Sequence, residues 1–96
     1  MAVQHMVWIK FNDTVKPDRQ REHLAGLRSL KDRVPGIQAL ALGENFTNRA
    51  RGFTHGLLVT LPDRQALQTY LDHPEHLAVA KPLKQDADLM VMDIEE

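Results

Sequence analysis

The stretch Val3-Gln4-His5-Met6-Val7-Trp8-Ile9-Lys10-Phe11 decides how this chain is read. Successive side chains of a strand point to opposite faces. Val3, His5, Val7, Ile9 and Phe11 therefore share one face, and Gln4, Met6, Trp8 and Lys10 the other. Asn12-Asp13-Thr14 break the run.

Working outward, Pro17 suits the first turn of a helix predicted to reach about Val34, with Leu24, Leu27, Leu30 and Val34 along its buried stripe. Pro35-Gly36 ends it. A second strand is expected from Ile37 to about Gly43, followed by a polar loop over 44–51. A third strand, 52–61, puts Phe53, His55, Leu57, Val59 and Leu61 on one face and Thr54, Gly56, Leu58 and Thr60 on the other. Asp63 can cap the next helix, which carries Leu67, Tyr70 and Leu71. Pro74 stops that helix and opens a shorter one reaching about Pro82, with His73 as its cap. Residues 89–94 form the last strand. The order β-α-β-β-α-β is the ferredoxin-like plan of an α+β fold.

Strand parity then assigns the faces. His5 and His55 share the parity of the aliphatic side that the helices must cover, and Tyr70 and His76 arrive from the covering layer. The four are expected to meet between sheet and helices. The other face is expected to show Met6, Trp8, Leu40, Leu42, Leu58, Met90, Met92 and Ile94. Nothing in the chain remains to cover it, and soluble monomers rarely expose so large an apolar patch. A second copy packed sheet to sheet about a two-fold axis is the simplest remedy, so a homodimer is expected.

Composition narrows the function classes. Ninety-six residues, 43% hydrophobic and 26% charged, describe one small globular domain. The net charge of −1, with no run of one sign, gives no footprint for nucleic acid or an anionic membrane. No cysteine is present, which removes disulfides and thiolate metal sites. No segment is apolar enough to span a bilayer, and the start lacks a charged leader, so a cytoplasmic protein is expected.

Tyr70-Leu71-Asp72-His73-Pro74-Glu75-His76 is the densest chemistry in the chain. An acid–base pair is one reading: His76 removes a proton alpha to a carbonyl while the Tyr70 phenol donates to the carbonyl oxygen. A structural anchor is the other. The helix start favours a neutral His76, whereas Glu75 favours imidazolium, and sequence does not weigh one against the other. Four histidines also raise a divalent metal, but His73 and His76 straddle a proline break and no carboxylate is clearly poised beside them, so no metal site is assigned. His23 lies off the Leu24/Leu27 stripe and is expected in solvent. Gly43-Glu44-Asn45 has too few glycines for a phosphate loop.

His5, Pro35-Gly36-Ile37, Gly43-Glu44-Asn45, Gly52-Phe53-Thr54-His55-Gly56, the Tyr70–His76 stretch and Val91-Met92-Asp93 together resemble the stress-responsive A/B barrel (Dabb) family. The resemblance runs from Val3 to Asp93. It implies a ferredoxin-like protomer in a dimeric α/β barrel; separately, no cofactor is expected. Some members are stress-induced proteins without known chemistry, while one closes a linear polyketide with a tyrosine and a histidine. The positions similar to that pair are Tyr70 and His76, and two strand histidines are similar to His5 and His55, the expected ligand-binding residues. Leu24, Leu27 and Arg28 in the first helix depart from that member's acyl pocket, so its substrate is not carried over.

Overall fold

The computed structural model describes residues 1–96. Its elements are β1 (Val3–Phe11), α1 (Pro17–Arg33), β2 (Ala39–Glu44), β3 (His55–Leu61), α2 (Arg64–Asp72), α3 (Pro74–Asp86) and β4 (Ala87–Glu95). The four strands form one antiparallel sheet in the order β2-β3-β1-β4. This is the expected ferredoxin-like architecture. No helix is long and apolar enough to cross a membrane.

Side-chain caps start α2 and α3, whereas α1 begins at a proline with no side-chain cap. Pro17 and Pro74 occupy first-turn positions, the Asp63 carboxylate accepts from the Ala66 N–H at 2.8 Å, and His73 Nδ1 accepts from the Glu75 N–H at 3.1 Å. The α3 helix runs beyond Pro82 to Asp86, longer than expected. Gly36 turns the chain out of α1 with a φ of +96°, a conformation that side-chain-bearing residues rarely adopt.

The helix-covered face holds the core. Val7, Ile9, Leu57 and Val59 of the central strands pack beneath Leu27 and Leu30 of α1. Removing so much aliphatic surface from water is the principal stabilising contribution here.

The registry corrects one part of the parity argument. Leu40 lies opposite Val59, and Leu42 opposite Leu57. Both leucines therefore face the helices, and Ala39, Ala41 and Gly43 face the open side instead. A one-residue shift in a strand exchanges its faces, and the even mixture of alanine and leucine in β2 left that choice to the pairing. The open face still carries exposed Trp8, Leu58, Met90, Met92 and Ile94.

Candidate active site

The α2–α3 break builds the site. Tyr70 lies in the last turn of α2, the chain reverses at His73, and His76 sits in the first turn of α3. Their rings come to rest 4.5 Å apart between centroids. Beneath them His5 rises from β1, with its ring 5.6 Å from that of Tyr70 in an edge arrangement. Three of the four expected side chains therefore converge. They border a cavity of about 130 Å³, otherwise lined mainly by aliphatic groups. Its mouth lies toward β4, where Val91 faces the helix layer yet stays 52% exposed.

Each group has a defined chemical state. His76 Nδ1 lies 3.0 Å from the Leu71 carbonyl oxygen. A carbonyl only accepts, so Nδ1 carries the proton and Nε2 keeps its lone pair. Burial pushes the His76 pKa down; the Leu71 bond opposes this, and His5, Lys84 and His73 add to the lowering. Glu75 exerts no such pull, since its carboxylate turns to Arg33 at 3.4 Å. Burial, which sequence did not reveal, thus favours the neutral form of His76. The Tyr70 ring is 1% exposed, and burial raises its pKa to about 12. The phenol remains protonated at neutral pH, able to donate. No protein group bonds its hydroxyl, and no fully buried polar atom is left without a partner, so the hydroxyl meets the cavity.

Sequence reasoning assigned no role to Asp93. Its Oδ1 accepts from His5 Nδ1 at 2.5 Å, which fixes the imidazole in place and leaves His5 Nε2 without a proton when the ring is neutral. The signal was available: β4 residues of odd number share the face of Leu89, and Asp93 is the one carboxylate among them that lies opposite a histidine.

His55 does not join this group. It pairs opposite Ile9, four residues along β1 from His5, or about 13 Å. Its ring meets Phe11 at 5.8 Å, and its Nδ1 lies 2.8 Å from the Thr54 hydroxyl. Shared parity put both histidines on one side of the sheet but could not bring them to one end. Partial burial lowers its pKa, with Glu44 opposing and Arg28 adding.

His23 is a second correction. It is buried rather than solvated, with Nε2 2.6 Å from Asp86 Oδ2 and its ring stacked on Phe11 at 5.9 Å. The aromatic surface of Phe11 extends the buried stripe of α1 by one residue beyond its leucines. The histidines, aspartates and glutamates form no group of three suited to a metal ion.

Comparison with known proteins agrees with this fold. Olivetolic acid cyclase of Cannabis sativa is 29% identical over 79 residues, covering 80% of this chain and 78% of that protein. A dimeric ferredoxin-like protein of unknown function from Jannaschia sp. CCS1 superposes with a TM-score of 0.86 at 26% identity, each chain covered completely. Hydroxynitrile lyase from Passiflora edulis shares the fold, with a TM-score of 0.90 at 20% identity over 99% of this chain and 94% of that one. The sequence model of the stress responsive A/B barrel domain matches residues 3–96, and the chain belongs to that family.

Proposed function

We propose that this protein is a cytoplasmic homodimer whose protomers each carry a cofactor-free acid–base site for a small carbonyl compound. His76 Nε2 takes a proton from the carbon alpha to the carbonyl. The electron pair left behind moves to the carbonyl oxygen, where the Tyr70 hydroxyl donates. The resulting enol or enolate can then attack a second carbonyl, as ring closure requires, or be reprotonated, as isomerisation requires. His5, held by Asp93, supports the Tyr70 end of the cavity. The observation that carries this reading is the split in proton affinity, a histidine kept neutral beside a phenol kept protonated, both facing one cavity. The similarity to a cyclase supports the reaction class.

Deuterium incorporation alpha to the carbonyl of a set of small ketones that includes oxo acids, followed by NMR in heavy water, tests the reading. The wild type should catalyse exchange, and His76→Ala should abolish it while leaving the dimer folded. Wild-type protein that leaves the exchange of every ketone at the buffer rate would contradict it.

A non-catalytic protective or ligand-binding role is the second reading. It draws on the exposed sheet face, whose apolar side chains suit a stable assembly better than a monomer, and on neighbours described as dimeric. Placing a charge there, as in Leu58→Glu, should dissociate the dimer in sedimentation experiments. An unchanged mass would remove that face from the interface.

A further inference from the structure

We propose that Lys84 recognises an anionic group on the substrate, so that the cavity takes a short oxo acid rather than a neutral ketone. This rests on the acid–base reading for where the carbonyl sits, but not for the presence of the anion.

Three observations converge. Lys84 is the only side chain bordering the cavity that carries a fixed charge; its other neighbours are aliphatic groups, the phenol and the two imidazoles. It takes part in none of the ion pairs of the chain. Finally, His76, Ala80 and Lys84 recur every four residues along α3 and so share one face of the helix. Their backbone positions span about 12 Å from first to last, and helical side chains lean back toward the N-terminus. The ammonium is thereby directed along the cavity toward His76, where its charge opposes protonation of the imidazole.

Lys84 is exposed, so its stem borders the apolar cavity while its ammonium offers an unpaired charge at the rim. A single lysine is a point charge, without the paired donors that favour phosphate recognition by arginine. A carboxylate is the fitting partner. The small volume adds a size limit, since about 130 Å³ lies below the range of roughly 300–1,000 Å³ typical of drug-sized ligands. The substrate then lies with its carboxylate at the mouth and its carbonyl under Tyr70.

A helix C-terminus also favours lysine, and the last turn of α1 carries Lys31 and Arg33 for that reason. Binding separates the two roles. The probes are 4-oxopentanoate and its uncharged methyl ester, titrated at neutral pH while the His76 imidazole resonances are followed. The acid should bind saturably, and the ester about tenfold or more weakly, as expected for loss of one charge-assisted contact. Lys84→Met should weaken the acid alike and leave the ester unchanged, and Lys84→Arg should restore much of the acid's affinity. Equal binding of acid and ester, acid binding indifferent to Lys84→Met, or no binding of either probe would overturn the proposal. Deuterium exchange into the bound acid reports on His76 separately: binding that depends on Lys84 without exchange would refute the acid–base reading and leave the anion site standing.

Discussion

Two buried histidines each bond an aspartate under the same helix layer, at opposite ends of β1, and their surroundings differ in kind. His23 meets Asp86, whose Oδ2 also accepts from Arg19 Nε at 2.9 Å, and its ring is stacked on Phe11. Charge and aromatic surface are both used up within the protein. His5 meets Asp93, which no cation joins, and its ring looks onto a cavity shared with a phenol and a second imidazole. Burial of a histidine therefore says little about function. Groups left unpartnered beside an empty volume say much more.

The largest expected effect breaks this comparison on the catalytic side. His76→Ala should lower the exchange rate of 4-oxopentanoate by roughly 10²–10⁴, the usual worth of a positioned general base. His23→Ala at the closed end should leave that rate unchanged. Equal losses would show that both ends serve one function.

Stability should reverse the order. His23→Ala removes a buried ring together with the partner of Asp86, and urea unfolding should show a loss of roughly 2 kcal/mol. His76→Ala should cost less, because its ring already borders a cavity and holds one backbone carbonyl.

The two ends should also respond to different pH windows. The folded pKa of His76 is lowered, so the unfolded chain binds the proton more readily, and stability is full above about pH 6.5 and declines as pH falls from there toward the folded value. Asp86 is held below the usual carboxylate range, first by the His23 bond and then by Arg19. Its contribution is present above the ordinary carboxylate pKa of about 4 and is lost as pH falls through the folded value. Unfolding curves of His76→Gln should therefore flatten in the mildly acidic window, and those of Asp86→Asn only at strongly acidic pH.

The smallest stability change belongs to Tyr70→Phe. The hydroxyl has no protein partner, so the cost should stay within about 1 kcal/mol, yet exchange should fall as the donor disappears. A larger loss of stability in calorimetry would return Tyr70 to the role of an anchor.

Much of the fold was legible because it rests on local chemistry. Pro17, Asp63 and Pro74 mark helix starts by what their side chains do to the backbone, and the alternation in β1 carries the face assignment of the sheet's centre. β2 was not legible in the same way, since alanine and leucine alternate without a polar side to fix the register. The proximity of Tyr70 and His76 followed from the proline break between them. The separation of His5 from His55 did not, because parity names a face and only strand pairing gives the position along it. Asp93 and His23 depended on contacts between residues 88 and 63 positions apart, beyond any local pattern.

The most direct test is a nitrogen-15 NMR titration of the His76 imidazole. A base aimed at the cavity requires the neutral ring to carry its proton on Nδ1, with Nε2 free and a pKa below 6.5. A ring protonated on Nε2, or one that titrates above 6.5, would contradict the assignment of His76 as the base.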